Sequence, residues 1–176
     1  MTKKAKSITE ISSQLATTRG SKIVKFFRPF DDGGSTQGYV LDIGPEFFLL
    51  LLIGEEMRFN GFQCLRLQDV RKLRVPAKYA AFIESALRLR GECVEKKPMV
   101  RVGNIKEILE TANKAFPIIT IHREKVAPDI CHIGQILDMD EKYVSLLEIG
   151  PDAVWDQKPE SYRLREITRV DFCGAY

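Results

Sequence analysis

Seven consecutive apolar residues, Phe47 to Ile53, form the longest uninterrupted hydrophobic run in the chain. A run of that length reads as a strand covered on both faces, and it falls far short of the roughly 20 apolar residues of a membrane-spanning helix. Elsewhere the pattern changes period. Ile8, Ile11 and Leu15 share one helical stripe behind Ser7-x-x-Glu10, and Ile105, Ile108 and Leu109 follow Asn104-x-x-Glu107 in the same way. Each cap-and-acid pair can satisfy the free amides of a first turn, so each predicts a helix start. The segments that follow, 22–28 and 117–123, are rich in β-branched and aromatic residues and read as strands, as do 62–68, 70–75, 161–165 and 167–172. Pro29 to Gly38 carries the Gly, Asp, Ser and Thr of a loop, and Ala127-Pro128-Asp129 lies in its counterpart. Pro76 to Gly91 predicts one more helix, with Phe82, Ile83 and Leu87 on a stripe, proline at the start and glycine at the stop.

These elements come twice. Residues 38–54 (GYVLDIGPEFFLLLLIG) align without gaps on residues 134–150 (GQILDMDEKYVSLLEIG) at an offset of 96, with 7 of 17 positions identical, where about one is expected by chance. The match continues at Phe59/Trp155 and, after a one-residue shift, LQDVRKL (67–73) aligns with LREITRV (164–170). Upstream, Ile23 to Arg28 parallels Ile118 to Arg123. The chain therefore reads as one unit duplicated and fused: 1–91 holds the first copy and its following helix, 92–103 a linker, and 104–176 the second copy. Five short strands in so small a unit predict closure into a barrel, which removes open edges. The fold class expected is α+β and β-rich, two tandem five-stranded barrels, each preceded by a helix, with a linking helix between. Copy two has Ser145 and Glu148 where copy one has Leu49 and Leu52. Since strand neighbours alternate faces, copy one must be covered on both sides, by the linking helix, the other barrel or a second chain.

Composition narrows the class of function without naming an activity. With 176 residues, 44% hydrophobic and 29% charged, the chain can bury a core, unlike a disordered one. The N-terminus MTKKAKSITEISSQL has no apolar stretch of the secretory kind, so a cytoplasmic protein without membrane attachment is expected. Cys64, Cys93, Cys131 and Cys173 form no Cys-x-x-Cys pair, and they read as free thiols with neither a metal knuckle nor a disulfide framework. Charge is uneven: residues 1–101 carry 18 Lys+Arg against 11 Asp+Glu (+7), and residues 102–176 carry 9 against 13 (−4). Such asymmetry fits a half that faces a polyanion, or more simply head-to-tail attraction between halves or between chains.

The second copy, Gly134-x-Ile136-x-x-x-Asp140-x-x-Tyr143-Val144-x-x-Leu147, resembles the first motif of the Sm-like family, the bacterial host-factor Q branch included, and Ile167-x-x-Val170 resembles the end of the second. The likeness covers about three quarters of the chain, and its order of helix before five strands is the family's. It implies small Sm-like or SH3-like barrels, rings made by pairing edge strands between subunits, and single-stranded RNA held by loop residues. The chain departs from the pattern at the ligand positions. Val144 and Phe48 stand where the resemblance places an RNA-contacting Asn, Arg163-Leu164 and Arg66-Leu67 replace Arg-Gly, the Lys-His pair is missing, and Gly44 replaces the motif's Asp.

The reading is accordingly a non-enzymatic binding or assembly module, a homo-oligomer with no cofactor and no metal. Its sharper form binds single-stranded RNA through the basic first half; the alternative is a protein-protein scaffold. The residues proposed to meet RNA or a partner are Phe59, Arg66, Arg71, Lys72, Arg74, Trp155 and Arg163, aromatics at hairpins for stacking and cations for phosphate. The basic run continues through Lys78, Arg88, Arg90, Lys96, Lys97 and Arg101, diluted by Glu84, Glu92 and Glu95. Gly38 and Asp42, with Gly134 and Asp138, are matched positions expected to shape the bent strand, the carboxylates by accepting loop amides. A less favoured alternative is a small hydrolase or metal site built on Cys131, His122 and His132, the one close gathering of nucleophile, base and ligand types. His122 falls where copy one has Phe27, so a strand aromatic is its simpler role.

Overall fold

A computed structural model describes residues 7–31, 34–94 and 97–174. Helix α1 (Ile8–Ala16) begins at a complete capping box: Ser7 accepts from the Glu10 amide and the Glu10 carboxylate accepts from the Ser7 amide. Strands β1 (Ile23–Phe27), β2 (Thr36–Ile43), β3 (Phe47–Ile53), β4 (Phe59–Arg66) and β5 (Lys72–Arg74) follow, with a 3-10 turn at Leu67–Asp69. Helix α2 (Ala80–Leu89) leads through the linker to α3 (Ile105–Ala115), which Asn104 caps through the Glu107 amide. Strands β6 (Ile119–His122), β7 (Cys131–Met139), β8 (Tyr143–Glu148), β9 (Glu160–Arg163) and β10 (Arg169–Phe172) complete the chain, again with a 3-10 turn, Leu164–Glu166, before the last strand. Helix α2 starts later than its sequence suggests: Tyr79, at φ 70°, sits in the left-handed region and breaks the run from Pro76.

The strands form one open antiparallel sheet in the order β5-β1-β2-β3-β4-β10-β6-β7-β8-β9. The two closed barrels expected from strand number are not formed. Strand β5 pairs with β1 alone, and the outer edge of β4 is taken by β10 from the other half of the chain. Each half nevertheless follows the same internal order, and the registers match pair by pair. Gly38 faces Leu52 as Gly134 faces Glu148, a bulge falls between Val40 and Asp42 as between Ile136 and Asp138, and Ile53 meets Phe59 as Ile149 meets Trp155. A Cβ at Gly38 would overlap the Leu51 carbonyl oxygen, and one at Gly134 the Leu147 carbonyl oxygen. The sharply bent strand thus needs glycine twice for the same reason.

The two faces of β3 fill two cores. Phe48 and Leu50 pack with Ile11 and Leu15 of α1 and with Val24, Phe26 and Leu65; Leu49, Leu51 and Ile53 join Ile83 and Leu87 of α2 and Val100 and Val102 of the linker in a larger cluster that continues into the second half. The linking helix is therefore a cover of the all-apolar strand, one of the three options its sequence left open. The linker backbone lies so close that a Cβ at Gly44 would strike the Val102 carbonyl, which explains why glycine stands where the second copy has Asp140. Among the described residues the matching outer face of the opposite half is left open at Leu137. Leu41 is buried at 7% exposure whereas its counterpart Leu137 is 52% exposed, although Val70 and Ile167 are both buried. The duplication holds in backbone register; the surroundings of its outer faces differ.

Candidate functional site

Three features concentrate polar chemistry: the joint between β4 and β10, the His132–Glu148–Tyr162 cluster on β7 to β9, and the two open edges of the sheet.

At the joint, Arg169, Val170, Asp171 and Phe172 pair with Leu65, Cys64, Gln63 and Phe62. Phe172 stacks on Phe62 at 5.6 Å between centroids and on Phe116 at 4.8 Å, an apolar seam across the two halves. Below it, Arg28 reaches Glu124 with two charge-assisted hydrogen bonds of 3.0 and 2.7 Å, and both side chains are at most 5% exposed. Thr168 donates to the same carboxylate at 2.7 Å, and Lys125 pairs with Asp69 at 3.2 Å. Burial pushes the Glu124 carboxyl up, but the Arg28 hydrogen bonds and charge, then Thr168 and Arg169, outweigh it and hold it below the ordinary carboxylate value. Asp171 is also held low: burial opposes ionisation, while the His122 hydrogen bond at 3.2 Å and Arg169 prevail.

On strands β7 to β9 of the second half, His132 is buried against Glu148, with Nδ1 to Oε2 at 3.1 Å, and lies 4.3 Å from the Tyr162 ring. The Tyr162 hydroxyl donates to the other Glu148 oxygen, and burial followed by that bond raises its pKa. Cys131, His122 and His132 are not brought together. His132 is buried and Cys131, its strand neighbour, is exposed, so the two point to opposite faces. His122, across the strand pair from Cys131, is bonded to Asp171 instead. Among the described residues no group of three metal-ligating side chains gathers.

The residues proposed for RNA or partner contact are scattered. Arg71, Lys72 and Arg74 are exposed on or beside β5, at one edge of the sheet; Lys72 lies 5.8 Å from the Phe27 ring and Arg71 donates to the Gln68 carbonyl. Arg163 lies on β9, at the opposite edge. Arg66 lies near the middle, committed to the Arg165 carbonyl at 2.9 Å and to the face of Phe47. Phe59 is half-buried against Tyr39 with its amide donated to Glu92, whereas Trp155 stays 41% exposed. Lys97 is paired with Asp42, and Lys96 and Glu95 lie outside the described residues. A single basic track is not present among the described residues. The matched carboxylates also take other roles than expected: Asp42 pairs with Arg19 at 3.0 Å and with Lys97, and Asp138 is exposed. The loop amides of Lys142 and Tyr143 go to Asp140, whose pKa they lower.

One further feature does not show in the pattern of the sequence. Glu141, Lys142, Tyr143, Arg163, Leu164 and Arg165 line a surface cavity of about 450 Å³. Tyr143 is 37% exposed there, with the Arg163 guanidinium 6.0 Å from its ring centre. The signal available was an aromatic directly after an Asp turn, facing an arginine on the neighbouring strand.

No family model, curated protein or solved structure matches the chain. Among the described residues no helix is long and apolar enough to cross a membrane.

Proposed function

We propose that the protein is a non-enzymatic assembly module of Sm-like character that joins copies of itself head to tail through sheet edges. The observation that carries this reading is the order of the sheet. The two halves are already joined by the fourth strand of one, β4, and the fifth strand of the other, β10, and the edges left over are β5 and β9, a fifth strand and a fourth strand. The chain therefore presents at its two ends the same kinds of edge that it joins in its middle. An exposed strand edge is a template for another chain, and unlike surfaces meeting head to tail generate a ring or an open array. Sedimentation velocity on the full chain at low salt tests it. Species at integer multiples of 20.1 kDa are expected to grow with protein concentration; a single monomeric species across that range would refute the reading.

A second reading, single-stranded RNA binding, is favoured by the cavity at Tyr143. An exposed aromatic with Arg163 beside it and Lys142 and Arg165 at the rim offers one stacking surface and cations for phosphate. This moves the RNA site from the basic first half to the second. Tyr143→Ala is expected to weaken binding of a short uniform-sequence RNA about tenfold at low salt. Unchanged affinity in that variant would refute the site.

A further inference from the structure

The middle joint and the outer edges use equivalent positions but different chemistry. Registers within each half relate β9 to β4 and β10 to β5 by an offset of 97: Glu160 faces Leu146 as Gln63 faces Leu50, and Val170 faces Ile121 as Leu73 faces Phe26. Carrying the β4–β10 pairing over to the outer edges sets Tyr162 opposite Lys72, Ser161 opposite Leu73, Glu160 opposite Arg74 and Pro159 opposite Val75 of the next copy. The aromatic contact of Phe62 with Phe172 becomes Pro159 with Val75. The neutral-to-acid contact of Gln63 with Asp171, 3.4 Å apart in the middle joint, becomes an acid facing a base. Arg74 and Glu160 are both exposed, and neither is ion-paired or hydrogen-bonded to a described side chain.

Resting on the assembly reading above, we infer that the partner of each edge is a second copy of this chain, in that register, and that the contact is a reversible joint governed by the Glu160–Arg74 charge pair. The middle joint is cemented by stacked rings and a buried arginine–glutamate pair; the joint between chains lacks the rings and relies on exposed charge. Screening acts strongly on exposed charges and weakly on buried ones, so salt separates copies while each chain stays folded. The opposite sign of the two halves, +7 and −4, acts in the same direction. It draws the first half of one copy toward the second half of another and disfavours first-to-first contact.

The test measures mass by light scattering and folding by thermal melting, on the full chain, at about 50 mM and about 500 mM salt. The wild-type oligomer is expected to dissociate at the higher salt while the chain keeps a cooperative melting transition, lowered by no more than the stabilisation that association had added. Glu160→Lys and Arg74→Glu, each alone, are expected to weaken association at low salt by at least about tenfold, because like charges then face each other. The double variant restores the opposite signs and is expected to regain most of the mass. An oligomer that ignores salt and both single substitutions would overturn this inference and leave head-to-tail assembly standing by another register or contact. A wild-type chain that is monomeric at low salt would overturn the assembly reading, and the inference with it.

Discussion

Replacing Glu124 by alanine is expected to destabilise the fold by about 3–5 kcal/mol, the range found when one partner of a buried ion pair is removed. The Arg28 side chain, 1% exposed, would keep its charge with Asp31 as its remaining partner. Thr168 would lose an acceptor that its hydroxyl reaches at 2.7 Å. Because Arg28 belongs to the first half and Glu124 to the second, the loss falls on the joint itself. Glu124→Gln keeps the shape and one acceptor oxygen and is expected to cost less. The sign with pH follows from the lowered carboxyl. A folded pKa below the unfolded value means that Glu124 stabilises above the ordinary carboxylate pKa, and that this contribution is lost as pH falls through the folded value. The gap between wild type and Glu124→Ala should therefore be full near neutrality and shrink in acid. Urea unfolding at several pH values measures it, and a loss under about 1 kcal/mol at neutral pH would show that the pair does not hold the halves together.

The repeat was legible because two of its identical residues, Gly38 and Gly134, stand where the backbone has least freedom. Gly38 and Gly134 mark the close approach to the neighbouring strand, and the apolar positions after them fix the register of β2 on β3 and of β7 on β8. The covering of β3 on both faces was legible too, since seven apolar residues in a row leave no side for solvent. The way the halves join was not. Strand patterns show which face of a strand is buried and nothing about which edge it offers to which partner, so closure of each half on itself and pairing between halves predict the same alternation. The Arg28–Glu124 pair was hidden for a related reason. Arg28 has a counterpart in Arg123, but Glu124 is matched by Pro29, and a residue that breaks the repeat gives no signal until the two halves are placed side by side. The carboxylate role fell to Asp140 and not Asp138, because Asp140 stands in the turn between β7 and β8, two and three residues before the amides it accepts, whereas Asp138 lies within the strand.

If the duplicated strand has one physical design, the same substitution must be damaging in both halves. Gly38→Ala and Gly134→Ala are each expected to cost at least about 2 kcal/mol, since the added methyl meets a backbone carbonyl that cannot move without breaking strand pairing. Gly54→Ala is the control. A Cβ there finds only ordinary van der Waals contacts, the nearest being the Asn60 Cβ at 3.5 Å, and its effect should stay within about 0.5 kcal/mol. Asymmetry between Gly38 and Gly134 has a defined meaning. The first strand lies under α2 and the linker whereas the second faces solvent on its outer side, so the second can relax outward and the first cannot. Gly38→Ala should therefore be the costlier of the two. Urea unfolding of the three variants resolves this ordering. A tolerated Gly134→Ala beside a damaging Gly38→Ala would mean that the bend is imposed by the covering helix in one half and is not inherited from a common strand.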